Sequence, residues 1–268
     1  MKAGVSTACL YPDLLENTLE ILMKLGITDT EIFVNTHSET TADFTDMLAR
    51  ILADGGASCT AYHPFTCPIE PMMFFSGYER RITDMLEYYK YFFEAMTRLH
   101  SEIFVLHGNL HIIACPDDYY FEVFSRISET ARSFGVVVAQ ENVARCQSRS
   151  LDFLRKMSQS LGDDARFVLD IKQAVRSGEN PFTMADVLGN KIIHVHMSDH
   201  DEKSDCLLPG KGTFNIEAFL MSLMKKGFDG SVILELYRNN FDKPQELKES
   251  FDYLDKIIKN IRKERTTI

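Results

Sequence analysis

No two cysteines in this chain form a C-x-x-C pair; Cys9, Cys59, Cys67, Cys115, Cys146 and Cys206 are scattered singly along it. That spacing fits neither a structural zinc knuckle nor a disulfide framework, and the expectation is reduced thiols in a cytoplasmic protein. An excess of positive charge is missing too: 29 Lys and Arg face 39 Asp and Glu, for a formal net charge of −10. Such a surface repels polyanions, so nucleic acid is not an expected partner. The basic residues near the end, Lys256, Lys259, Arg262, Lys263 and Arg265, read as the solvated face of a helix. No apolar run approaches the roughly 20 residues of a membrane span. The stretch from Met1 to Ser6 enters a strand pattern with no signal-peptide apolar core. No G-x-G-x-x-G comes after that first run, and no Pro/Ser-rich linker or low-complexity tract divides the rest of the chain. The expectation is a single domain over residues 1–268, with no membrane partner.

What the chain does have is a recurring plan, and its fullest instance is the stretch from Lys191 to His200. An alternating apolar run there releases His194, His196, Asp199 and His200 within seven residues. Residues two apart on a strand share a side of the sheet, so His194 and His196 face the same way. Elsewhere short β-branched runs end in Glu141, Asp170 and Glu235, and two others end in His63 and His107. Polar groups gathered at the ends of buried strands point to an active site, because a core excludes them unless they have partners.

The pattern predicts strands over 2–7, 31–34, 58–63, 103–107, 136–141, 166–170, 191–196 and 231–235. Helices are expected at about 12–26, 43–53, 78–99, 117–134, 150–161, 216–226 and 244–263. A loop carrying Pro64, Pro68 and Pro71 and a Pro-interrupted segment over 176–189 are read as irregular. Strands recurring at about 30 residues are βα units, and such alternation implies a parallel sheet covered by helices. Eight units match an α/β (β/α)8 TIM barrel, whose active site lies at the carboxyl ends of its strands. Every polar residue singled out above sits at such an end.

Singly, each of these residues has a structural explanation: a glutamate can cap a loop, and His194 can be a hydrogen-bonded core histidine. Together, two glutamates, an aspartate and a histidine converging in a barrel mouth would repel one another without a cation. One divalent metal resolves that repulsion, and mixed carboxylate and imidazole donors suit Mn²⁺, Co²⁺ or Zn²⁺.

Glu141-Asn142 at a strand end, Asp170, His196 before Ser198-Asp199, the run from Pro209 to Gly212, and Glu235 resemble the xylose isomerase-like TIM-barrel superfamily. This is the group of sugar phosphate isomerases and epimerases, related to ketose 3-epimerases and endonuclease IV. The resemblance covers nearly the whole chain, in order. It implies Glu141, Asp170, His196 and Glu235 as the metal ligands, with Glu141 and Glu235 also catalytic, taking and returning the substrate proton. The implied function is a metal-dependent isomerase or epimerase acting on a sugar or sugar phosphate, using proton abstraction beside a carbonyl through a metal-stabilised enediolate. A dehydratase of an inosose-like substrate, an endonuclease IV-like hydrolase and a non-catalytic carbohydrate-binding barrel are the alternatives.

Two departures bear on that choice. Many relatives carry a histidine three residues after the strand-six aspartate, where this chain has Gln173. The Asp-x-His of the strand-seven loop in endonuclease IV is absent from 201–212. Both argue against a three-metal phosphodiesterase and for a mononuclear site. The expected partner is a small carbohydrate, contacted by His63, His107, Lys172, Gln173 and Arg238, and a homo-oligomer is left open. Lys172 reads either as a surface lysine or as a cation that binds a carboxylate or phosphate. Lys211, between two glycines, reads as a turn. The apolar cluster from Met72 to Phe75 reads as core or interface, with a substrate lid as the minor alternative.

Overall fold

The computed structural model describes residues 1–266, with side chains as far as Lys263, so the side chain of Arg265 and residues 267–268 lie outside the described residues. Eight parallel strands close into a barrel in sequence order, β1 to β8, with β1 paired to β8. The strands are β1 (Lys2–Ser6), β2 (Asp29–Phe33), β3 (Ser58–His63), β4 (Ile103–Leu106), β5 (Val137–Glu141), β6 (Phe167–Asp170), β7 (Ile192–Met197) and β8 (Ser231–Leu234). Around them run α1 (Leu15–Lys24), α2 (Ala42–Asp54), α3 (Glu70–Phe74), α4 (Glu79–Leu99), α5 (Asp117–Arg132), α6 (Leu151–Leu161), α7 (Ile171–Arg176), α8 (Pro181–Leu188), α9 (Ile216–Lys225) and α10 (Pro244–Thr266). The expected (β/α)8 architecture is therefore the one formed. Among the described residues no helix is long and apolar enough to cross a membrane.

Two segments expected to be irregular are helical. Pro71 sits in the first turn of α3, and Pro181 opens α8 behind Asn180, whose side chain accepts from the N–H groups of Phe182 and Thr183. Proline is tolerated there because the first N–H groups of a helix have no intrahelical acceptor. The first helix begins at Leu15, not at Pro12, since a short turn over Thr7–Leu10 comes before it. On α10, Lys259 pairs with Asp255, and Arg262 approaches Asp229. This is the solvated face expected of that helix.

Ala61, Val105, Ala139 and Val168, from β3 to β6, form a small buried apolar cluster of their own. The larger core lies between strands and helices. Its densest part is aromatic: Tyr89, Phe92 and Phe93 of α4 pack around Phe104 of β4, with ring centroids 5.2 to 6.0 Å apart. Phe74 and Phe75 are buried, and Phe75 stacks on Tyr120 at 4.4 Å. The apolar segment after β3 is thus core at Phe74 and Phe75, while its Met72 is half exposed. It also carries a buried carboxylate toward the barrel mouth. Glu70 accepts from Tyr89 Oη at 2.9 Å and from the Gly108 N–H at 2.7 Å, which fixes the turn just past His107.

Candidate active site

The carboxyl ends of the strands gather the residues singled out from the sequence. Glu141 ends β5, Asp170 ends β6, His196 lies on β7 and Glu235 follows β8. Asp170 and His196 are register partners across β6 and β7. Each of the four offers one donor atom, and these atoms lie within 4.8 Å of one another. His196 Nδ1 is 3.2 Å from Glu141 Oε1, 3.4 Å from Glu235 Oε2 and 3.7 Å from Asp170 Oδ2. Asn142, beside Glu141, sets the spacing of two of these strands. Its Oδ1 accepts from the Asp170 N–H at 2.7 Å, and its Nδ2 donates to the Asp170 carbonyl at 2.9 Å.

One residue of the site was not singled out from the sequence. Glu31, in the middle of β2, is fully buried, and its Oε2 lies 2.9 Å from His196 Nε2 and 3.0 Å from His194 Nε2. Burial alone would raise the Glu31 carboxyl, but the charge and hydrogen bonds of the two imidazoles hold it well below the usual carboxylate range. A charged Glu31 needs N–H donors, so it fixes the proton of His196 on Nε2. Burial disfavours charge on His196, but Glu31, Glu235, Asp170 and Glu141 raise its imidazole well above the ordinary histidine value, so Nδ1 also carries a proton toward the three carboxylate oxygens, one that a bound metal would displace. His194 is the hydrogen-bonded core histidine its alternative reading described. The one available signal for Glu31 was a glutamate opening an otherwise apolar strand run, Glu31 to Val34.

Lys172 is not on the surface. It is 3% exposed, donates to Asp170 Oδ2 at 2.6 Å and also pairs with Glu235 Oε2. Burial works against its charge, but Asp170 and Glu235 keep its ammonium protonated well above the ordinary lysine range. Gln173 also reaches the site, and its Oε1 accepts from the Ala144 N–H at 3.0 Å. His63 and His107 meet through their Nε2 atoms at 2.9 Å, and His107 Nε2 lies 2.8 Å from Glu141 Oε2. Because His63 Nδ1 faces the Pro64 carbonyl at 3.2 Å, its Nε2 is the acceptor in that pair and His107 the donor.

Arg238 is different. Its guanidinium donates to the carbonyls of Phe241 and Asp242 and lies over the Phe241 ring, away from the cavity. Just past Glu235 the chain enters a tight turn, Arg238–Asn240, which swings the side chain outward. Asp199 is structural: its carboxylate accepts from the N–H groups of His200, Gly210, Gly212 and Phe214. The Lys211 turn hangs from that carboxylate.

The residues present fit a divalent cation. Glu31, Glu141, Asp170 and Glu235 are four carboxylates in one mostly buried cluster, and Lys172 is the one ammonium bound to it among the described residues. Glu141 Oε2 has no hydrogen-bond donor in proper geometry, although it is buried. An imidazole Nδ1 within 3.7 Å of three carboxylate oxygens is likewise a donor set that a metal ion, replacing the Nδ1 proton, completes. Above the cluster opens a cavity of about 660 Å³, lined among others by His63, His107, Glu141, Lys172, Gln173 and Glu235. That size suits a small-molecule ligand.

The family model described as xylose isomerase-like TIM barrel matches residues 19–257. An inosose isomerase of Halalkalibacterium halodurans is 28% identical over 129 residues, 44% of this chain and 46% of that protein. A 3-dehydroshikimate dehydratase of Pseudomonas aeruginosa is 24% identical over 257 residues, 90% of this chain and 39% of that protein. The matched regions thus span less than half the length of these curated relatives. Among solved structures, a D-tagatose 3-epimerase-like protein superposes with a TM-score of 0.80 at 22% identity, covering 98% of this chain and 99% of that one. The IOLI protein with a bound zinc atom gives a TM-score of 0.75 at 20% identity, covering 97% and 98%. At those identities the superpositions establish the fold alone.

Proposed function

The chain belongs to the xylose isomerase-like TIM-barrel family, and on that premise we propose that it is a divalent-metal-dependent isomerase or epimerase of a small sugar or sugar-derived ketone. The observation that carries this reading is the convergence of Glu141, Asp170, His196 and Glu235 at the floor of a sugar-sized cavity, with the two glutamates arriving from separate strands. These four residues would hold the metal, with His196 binding through Nδ1. Mixed carboxylate and imidazole donors suit Mn²⁺, Co²⁺ or Zn²⁺. When bound, the ion supplies Lewis-acid polarisation of the substrate carbonyl and the adjacent hydroxyl.

The protein's own groups do the rest. β6 and β7 stand between the strands that deliver Glu141 and Glu235, so the two carboxylates approach a substrate from different sides. One, as carboxylate, removes the proton on the carbon beside the carbonyl, and the other, as carboxylic acid, donates its own proton to the opposite face. Donation to the same carbon inverts it; donation to the neighbouring carbon, with a proton passing between the two enediolate oxygens, moves the carbonyl. Lys172, held against Asp170 and Glu235, gives an N–H donor at the oxygen where negative charge develops. His63, His107 and Gln173 line the space that substrate hydroxyls would fill.

Dehydration is a second reading, favoured by the alignment with the 3-dehydroshikimate dehydratase over 90% of this chain. His107, 2.8 Å from Glu141, is placed to protonate a departing β-hydroxyl after the same proton abstraction.

The test is incubation of Mn²⁺-loaded protein with a panel of ketoses in D₂O, followed by NMR. Deuterium should enter the carbon beside the carbonyl of at least one ketose without loss of water. Turnover should fall at least ~100-fold in Glu141→Gln and Glu235→Gln, the lower end for a lost acid/base. Near-normal turnover in both variants would reduce these carboxylates to ligands and end the mechanism. Loss of water from the product would select dehydration.

A further inference from the structure

The cavity is charged differently at its two ends. Its floor holds Glu141 and Glu235, the two carboxylates among the residues that line it. The lining also contains Lys172 and two arginines, Arg145 and Arg176, in a chain whose net charge is −10. Three basic side chains around one cavity of a net-acidic chain call for an acidic partner.

The three are not equivalent. The Lys172 ammonium is committed to Asp170 and Glu235. Arg176 is partly neutralised: its Nε and Nη2 pair with Asp205 at 2.5 and 3.0 Å, and its Nη1 donates to Tyr237 Oη at 2.6 Å. That pairing holds the guanidinium 5.1 Å over the Tyr237 ring, as a rigid wall of the cavity. Arg145, on the loop after β5, is exposed and has no acidic partner among the described residues. Close to it in the chain, the Ala144 N–H donates to Gln173 Oε1, which orients that amide with its NH₂ available to a ligand. Phe33, Phe65 and Pro68 make part of the lining apolar. The cationic wall therefore comes from the loop after β5 and from α7.

We infer that the substrate carries an oxyanion, a carboxylate or phosphate, on the end remote from the reacting carbonyl, and that Arg145 is the residue that selects it. Its guanidinium, beside the Cys146 thiol but without a carboxylate among the described residues, presents a planar fork that matches either group with two parallel hydrogen bonds. Arg176 adds a fixed positive field and the Gln173 amide a further donor. The keto-hydroxy end then lies on the carboxylate and imidazole floor. A neutral sugar would leave Arg145 unmatched, and an anionic one gains a charge-assisted contact that changes affinity by about 10- to 100-fold. This inference rests on the sugar-ketone reading above and narrows its substrate class.

Calorimetric titration of Mn²⁺-loaded protein with D-fructose, D-fructose 6-phosphate and 5-keto-D-gluconate tests it. At least one anionic probe should bind 10-fold or more tighter than the neutral ketose, and which one does so identifies phosphate or carboxylate. The preference should shrink with added KCl. In Arg145→Ala it should vanish, with metal content unchanged, and Arg145→Lys should restore part of it. No preference for either anion over fructose, or a preference that survives in Arg145→Ala, overturns the inference. Metal content and deuterium exchange are read on the same preparations. Loss of both signals failure of the isomerase reading, whereas both intact without an anion preference isolates the failure to Arg145.

Discussion

His196 can act as a ligand only if its proton is on the right nitrogen, and Glu31 decides that. The pair is fully buried at 2.9 Å, and the same Oε2 takes His194 at 3.0 Å. Replacing Glu31 by glutamine keeps the volume and removes the charge. The amide can then donate to His196 Nε2 as readily as accept from it, so the proton is free to move to Nδ1. Glu31→Gln is expected to weaken metal binding by about 10- to 100-fold, the usual effect of losing the group that orients a metal-binding histidine. Titration with Mn²⁺ against a competing chelator measures this; unchanged affinity would make Glu31 a purely structural partner. Glu31 was not legible in advance because its partners lie 163 and 165 residues away in sequence. A glutamate opening a strand looks like an edge residue until the barrel closes over it. Lys172 failed to declare itself for a related reason: nothing local tells a buried ammonium from a solvated one. With Arg238 the error ran the other way. Nearness to Glu235 in sequence suggested the cavity, but the turn after β8 sends the side chain to the Phe241 and Asp242 carbonyls.

Among the elements, the strands were the most legible part of the chain, since each apolar run ends in the polar residue it delivers. Ser58–His63 has the bounds its pattern predicts, and the other strands differ from theirs by one or two residues at one or both ends. Helices α3 and α8 were masked by proline, which marks a helix start as readily as a loop. The turn after β4 shows how a packed element holds a site residue in place. Gly108 has φ +79°, and a Cβ there would come within 1.8 Å of Tyr120 Oη. Its N–H is also fixed by Glu70, the carboxylate that α4 holds through Tyr89. Gly108→Ala should therefore destabilise the fold by more than ~1 kcal/mol, because both backbone conformation and space oppose a side chain. Urea unfolding measures this. A midpoint equal to that of the parent protein would mean that the turn is free to rearrange, and that His107 is less rigidly placed than the packing indicates.

At the scale of the whole molecule, the barrel makes a functional site from residues that have nothing to do with one another in sequence. Most of the βα units deliver polar side chains to the same rim, and convergence follows once the sheet closes. The fold class and the four converging groups could be read from the sequence for that reason. The cavity's cationic wall could not, because it depends on how the loop after β5 packs against α7. The net charge of −10 hides it further. The proposed chemistry requires that Glu141, Asp170, His196 and Glu235 hold a single divalent ion. Elemental analysis of the purified protein after loading with Mn²⁺ and removal of free metal tests this most directly, alongside Asp170→Ala and His196→Ala. The expected result is about one ion per chain in the parent protein and a small fraction of that in each variant, with folding verified by circular dichroism. Stoichiometric metal retained in both variants, or none bound by the parent protein, would contradict the four-residue assignment.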